Sequence, residues 1–243
     1  MSEEKRPVAV QSDNKPKVKS DTAAIDAFVR QARAVAPRAD GAHGRVILAL
    51  DATMSRQPTW DLAADIQAQM FEAAGRTGRL DMQLVYFRGF GESRSSRFVS
   101  AADDLKRLMS AIQTHAGATQ IGKVLAHALK ENARQHVHAL VYIGDAMEEN
   151  IDLLAAQAGE LGVRGVPVFV FQEGNDGAAE AAFKSIARLS KGAWFRFDRS
   201  SADTLSRLLA SIAIFATGGL KALESRGSHS DRLLISRMGG KET

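Results

Sequence analysis

Val46-Ile47-Leu48-Ala49-Leu50 runs directly into Asp51-Ala52-Thr53-Met54-Ser55. The five apolar residues are too few for an amphipathic helix and read as a strand buried on both faces. Successive side chains of an extended segment point opposite ways, so Asp51, Thr53 and Ser55 share one side while Ala52 and Met54 face inward. A carboxylate and two hydroxyls converging at a strand's carboxyl end make a set of hard oxygen donors. Such a set suits a divalent cation such as Mg2+ or Mn2+, which prefers oxygen to sulfur or imidazole.

Four further apolar runs read as strands: Met82 to Phe87, Leu140 to Ile143, Val166 to Phe171 and Ala193 to Phe197. A shorter strand around Arg97-Phe98-Val99 is expected to pair with the second across the turn Gly89-Phe90-Gly91. Between the strands, apolar residues recur at helical spacing: Trp60, Ala63, Met70 and Phe71, then Leu105, Leu108, Met109 and Ile112, then Ile121, Val124, Leu125 and Leu129. Further helices are predicted over 151–161 and 178–189, and a last one from Leu205 to Phe215 ends at Gly218-Gly219. Ser100 is expected to cap the helix that follows it. An earlier helix runs through Ile25, Phe28, Val29 and Ala32 to Pro37. Strands alternating with helices imply a mostly parallel sheet covered on both faces, and ligands of such sheets collect at the strands' carboxyl ends where the order reverses.

Two other stretches continue the motif of the first. Gly117-Ala118-Thr119-Gln120-Ile121 opens an amphipathic helix, and Ala139-Leu140-Val141-Tyr142-Ile143-Gly144 leads into Asp145. Together with Asp51-x-Thr53-x-Ser55, these resemble the metal-ion-dependent adhesion site (MIDAS) of von Willebrand factor type A domains. There an Asp-x-Ser-x-Ser loop, a later Thr and a later Asp surround one ion. Thr53 keeps the hydroxyl of the usual Ser, while the usual Asp-Gly is here Asp145-Ala146. The resemblance covers residues 21–216, between a flexible tail over 1–20 and a basic tail over 217–243. It implies a three-layer α/β/α, Rossmann-like fold with one antiparallel edge strand in the sheet. It further implies a Mg2+, Mn2+ or Ca2+ ion at Asp51, Thr53, Ser55, Thr119 and Asp145. The hydroxyls would lie on the ion, the carboxylates would hold it partly through water, and one position would stay open for an Asp or Glu of a partner protein. The function so implied is cation-dependent protein binding, as in adhesion or scaffolding within an intracellular complex, and not catalysis.

Bulk properties narrow the field. At 243 residues, 45% hydrophobic and 25% charged, the chain can bury one good core. It has no cysteine, which excludes disulfides, thiolate metal sites and thiol nucleophiles. No signal-like apolar segment follows Met1, and no window holds the roughly 18 apolar residues of a membrane span, so a cytoplasmic protein is expected. The net charge of +4 comes from the two ends: Lys5, Arg6, Lys15, Lys17 and Lys19 outnumber the acids of the first twenty residues, and Arg226, Arg232, Arg237 and Lys241 outnumber Asp231 and Glu242. The body between them is neutral, which speaks against nucleic-acid binding. Leu233-Leu234-Ile235 is a small apolar patch expected to dock on a partner or on the domain.

Competing motifs fall short. Gly117 to Val124 matches a phosphate-binding loop except that Val124 replaces the Mg2+-binding hydroxyl. Asp51 as a phosphoacceptor, in a metal-dependent phosphoryl-transfer or phosphatase-like enzyme, would need an acid at position 53, where Thr stands. Arg88-Gly89-Phe90-Gly91 starts like an RNA-binding strand but lacks the following aromatic. His136-Val137-His138 has no Cys or carboxylate pair to complete a zinc set. Asp145 could merely cap a helix, and Glu148 and Glu149 beside it could add charge behind the ion or simply be the solvated start of that helix.

Overall fold

The Val46 run forms β1 (His43–Asp51), whose residues after His43 are all buried because both faces of the strand are covered. Val46, Leu48 and Leu50 enter one hydrophobic cluster, and Ile47 and Ala49 enter another on the opposite side. Parallel to β1 lie β2 (Arg79–Arg88) on one flank and β4 (Ala139–Gly144) on the other. Beyond β4 come β5 (Val168–Glu173) and β6 (Ala193–Phe197), also parallel. β3 (Glu92–Ser95) pairs antiparallel with β2 at the far edge. The order is β3-β2-β1-β4-β5-β6, so the sheet reverses direction of growth at β1.

This computed structural model describes residues 43–52, 57–89, 91–112, 117–197 and 202–239. The predicted tail over 1–20, the helix before Pro37, and the candidate ligands Thr53 and Ser55 lie outside the described residues.

Seven helices are described. On one face lie α1 (Gln57–Ala74), α2 (Ala102–Ser110), α6 (Ala202–Arg226) and α7 (His229–Arg237), packed through Met70, Met109, Leu209 and Leu234. The other face holds α3 (Ile121–Arg134), α4 (Ile151–Val163) and α5 (Gly177–Leu189), packed through Val124, Leu161 and Phe183. The ring of Tyr142 stacks with Phe87 and meets Phe183 edge-on on that second face. The three-layer fold with one antiparallel edge strand agrees with the sequence expectation.

Four local expectations shift. The edge strand is Glu92–Ser95, not Arg97–Val99; Val99 makes an isolated bridge to Met82. Ser100 does not cap α2: its hydroxyl donates to Asp81 Oδ1 at 2.5 Å instead, and Ala101 takes the cap position without a side-chain bond. The last long helix continues past Gly219, which adopts φ 71° and kinks it. Leu223 and Leu234 beyond the kink are fully buried, so the Leu233 patch docks on the domain itself. Finally, α6 is long and apolar enough to cross a membrane, although no such segment was expected. Half of that stretch is buried inside the structure, and packing on the sheet accounts for its apolar residues.

Candidate functional site

Asp51 is the last residue of β1 and is only 5% exposed. Ala52 beyond it is fully buried in the cluster of Leu48 and Leu50, and its amide donates to the Phe87 carbonyl at 2.9 Å. Ala52 thus faces inward as expected, and alternation turns Asp51 toward the face covered by α3 and α4. Leu50 pairs with Ile143, so Gly144 is level with Asp51 and the partly buried Asp145 stands one residue further on. The two carboxylates therefore leave adjacent central strands, whose axes lie about 4.8 Å apart, at the point where the strand order reverses.

Thr119 reaches the same end of the sheet on the loop before α3. A Cβ on Gly117 would lie 2.2 Å from the Gly89 nitrogen and 2.4 Å from its carbonyl oxygen, so glycine lets the two backbones touch. The Ala118 amide donates to the Gly89 carbonyl at 3.2 Å. The buried Gln120 amide donates to the carbonyls of Arg88, Gly89 and Glu92 at 3.3–3.4 Å. The Lys123 ammonium donates to the Gly91 carbonyl at 2.8 Å and to Gln120 Oε1 at 2.9 Å. Thr119, 9% exposed, is thereby fixed against the β2–β3 turn.

The loop between β4 and α4 closes over this segment. Asn150, not Asp145, caps α4: its Oδ1 accepts from the amides of Asp152 and Leu153. Glu148 and Glu149 are accordingly not the first turn of a helix. The Glu148 amide donates to Thr119 Oγ1 at 3.3 Å, and the Thr119 amide donates to Glu148 Oε2 at 3.4 Å. The Glu149 carboxylate accepts from the Ile121 amide and, at 2.9 Å, from the Gly122 amide. The amides that a phosphate would seek at this helix start are thus occupied by a carboxylate of the chain itself.

The donor chemistry of Asp51, Asp145 and Thr119 fits a hard divalent ion. Two carboxylates supply charge, a hydroxyl supplies a neutral oxygen, and all three stand at the carboxyl ends of the central strands or the loop beside them. Among the described residues there is no group of three or more His, Cys, Asp or Glu side chains able to hold a metal. Any ion here would therefore depend on hydroxyl oxygens as well as on Asp51 and Asp145.

Other polar side chains that could suggest chemistry, His136 and His138 among them, have structural partners. His138 Nδ1 accepts from the Arg45 amide at 2.9 Å, at the amino end of β1 and β4, and its ring lies edge-on to His136 at 4.6 Å. His127 Nε2 meets Gln83 Oε1 at 2.8 Å, and burial holds its pKa below the ordinary value. Asp81 takes both His43 Nε2 at 2.8 Å and the Ser100 hydroxyl, an order in which the carboxylate, not the imidazole, meets the serine. Sequence reasoning missed Gln120, and of its two readings of Glu148 and Glu149 the helix start does not hold, since the helix begins after Asn150. Their partners lie about thirty residues away along the chain, and no local pattern signals them.

No family profile and no curated protein matches the sequence. Solved structures do match in fold. The chain is similar to a von Willebrand factor type A protein from Catenulispora acidiphila, with 15% identity, a TM-score of 0.56, and coverage of 71% of this chain and 43% of that one. It is similar to the SpRpn10 VWA domain at 11% identity and a TM-score of 0.54, covering 68% and 94%. A third likeness is to proximal thread matrix protein 1 from the mussel byssus, solved with a zinc-occupied MIDAS motif, at 17% identity and a TM-score of 0.52, covering 72% and 45%. The chain spans less than half the length of the first and third of these, and nearly all of the second. What they share with this chain is the von Willebrand factor type A fold.

Proposed function

We propose that this chain is a divalent-cation-dependent protein-binding module in which Asp51, Thr53, Ser55, Thr119 and Asp145 hold Mg2+, Mn2+ or Ca2+. The observation that carries the reading is the placement of Asp51 and Asp145 on adjacent strands at the reversal of the sheet, with Thr119 bonded to the loop that follows Asp145. The zinc-occupied MIDAS of a protein with the same fold supports it. When bound, the ion supplies a Lewis-acidic centre that accepts a carboxylate oxygen.

The rest is done by the chain. Asp51, desolvated at the strand end, supplies fixed negative charge, and Asp145 adds a second carboxylate from the neighbouring strand. Thr119 offers a neutral oxygen held in place by the backbone of Glu148. With only two carboxylates in the set, the ion keeps enough positive character to take an Asp or Glu side chain from a partner protein. We read the chain as a binder, not an enzyme: the α3 amides already hold Glu149, and the Ser100 hydroxyl faces a carboxylate.

The test is calorimetric titration of metal-free protein with Mg2+, Mn2+ and Ca2+, repeated on an Asp51→Ala/Thr119→Ala variant and in the presence of an aspartate-bearing peptide. One ion per chain in the wild type and none in the variant is expected. Equal binding by both, or none by the wild type even with the peptide, would overturn the reading. A beryllofluoride adduct on Asp51 would instead point to phosphoryl transfer.

A further inference from the structure

We propose that Glu149 is a positioning residue that locks the Thr119 loop to the Asp145 loop and so sets the affinity of the cation site; this rests on the reading just given. Helix α3 begins without help from its own sequence. Gln120 stands at the N-cap but makes no side-chain cap, because its amide is spent on the β2–β3 turn, and the first turn of α3 holds no acid. The amides at such a start need acceptors from elsewhere.

Glu149 supplies them from a different element. Its two oxygens accept separately from Ile121 and Gly122, an anion at the positive end of the helix with a charge-assisted bond to each amide. The seat is shaped for it: a Cβ on Gly122 would lie 3.1 Å from Glu149 Oε2 and 3.5 Å from Gln157 Oε1. Ile121 is two residues from Thr119, and Glu149 is four from Asp145. The clamp therefore joins the two loops that must approach one ion. Glu148 makes the longer, exposed part of the junction at 3.3–3.4 Å, so Glu149 carries most of the restraint.

Metal and clamp hold the same pair of loops, so each favours the geometry the other needs. Residues that orient metal ligands from behind typically change affinity by about 10–100-fold when removed. Glu149→Ala is expected to weaken Mg2+ binding within that range and to speed hydrogen exchange at the Ile121 and Gly122 amides in metal-free protein. Saturating Mg2+ restores their protection. Glu149→Gln, which keeps one oxygen to accept but loses the charge and the second acceptor, falls between the two and carries the test should Glu149→Ala fail to fold.

Calorimetry with Mg2+ alone and amide exchange by NMR on wild type and variants decide the matter. If wild type binds Mg2+ and Glu149→Ala binds it equally well while its Ile121 and Gly122 amides lose protection, the clamp exists but does not serve the site, and the proposal falls while the cation site stands. Unchanged amide protection in Glu149→Ala would remove the clamp itself. If wild type binds no Mg2+, the cation reading falls and takes this proposal with it.

Discussion

Asp231 shows how much one buried side chain can carry in a stretch that reads as a basic tail. It is fully buried in α7, where its carboxylate accepts from the Arg226 guanidinium and from the Ser228 amide, while Ser228 Oγ accepts from the Asp231 amide in return. Burial alone would raise its pKa, but the bonds from Arg226, Ser228 and Ser211 outweigh that and bring it down to about 2 from an ordinary 3.8. The folded state therefore binds this proton more weakly than the unfolded chain does. The resulting stability is fully present above about pH 4 and is lost as pH falls through about 2, to a total of about 2 kcal/mol. Urea unfolding of wild type and Asp231→Asn should differ by at least that much at pH 6, and the difference should shrink between pH 4 and pH 2; a gap independent of pH would mean the carboxylate stays unstabilised. Legibility at this scale follows locality. Asp51, Thr119 and Asp145 stand in short patterns, each tied to its own strand or helix start, whereas the partners of Glu149 lie 27 and 28 residues away and meet it only in the fold; Asp231 has its partners Arg226 and Ser228 close by in the chain, but its burial comes from packing on the domain.

At the scale of elements, apolar periodicity located every described strand but one and every described helix before α7. The exception, β3, reads Glu92-Ser93-Arg94-Ser95 without an apolar alternation, because an edge strand with one neighbour, half-buried at Glu92 and Ser93 and exposed at Arg94 and Ser95, has little to bury. The nearest apolar residues, Phe98 and Val99, drew the expectation past it. The end of the chain was missed for a similar reason: Leu233-Leu234-Ile235 is too short to display a period, so the helix that buries Leu234 could not be seen. That helix is held by the capping box of Ser228 and Asp231, and Leu234 enters the same cluster as Leu209 and Leu223. Leu234→Ala should cost about 2–4 kcal/mol, the usual penalty for a buried leucine whose cavity does not collapse. Chemical denaturation reads it, and a loss below about 1 kcal/mol would show that α7 is a removable appendage and not part of the core.

For the whole molecule, the parallel sheet follows from strands alternating with amphipathic helices, and its reversal at β1 brings the carboxyl ends of β1 and β4 together, and with them Asp51 and Asp145, which lie 94 residues apart in the chain. Neither carboxylate gains this neighbour in the unfolded state, so an ion that needs both binds the folded protein alone. Its binding energy then adds to folding: at a free Mg2+ concentration one hundred times the dissociation constant, the gain is about 2.7 kcal/mol. For a domain of this size each kcal/mol moves the thermal midpoint by about 2–4 °C, so Mg2+ should raise it by roughly 5–10 °C. Asp51→Ala should abolish the rise without abolishing the fold, since the residue it replaces sits at a strand end and not among the apolar contacts that hold the sheet. A thermal scan with and without Mg2+ measures this directly. An equal rise in wild type and Asp51→Ala would place the ion elsewhere, because an ion bound anywhere on the folded state alone raises the midpoint, and only a site that draws on Asp51 loses that rise with it.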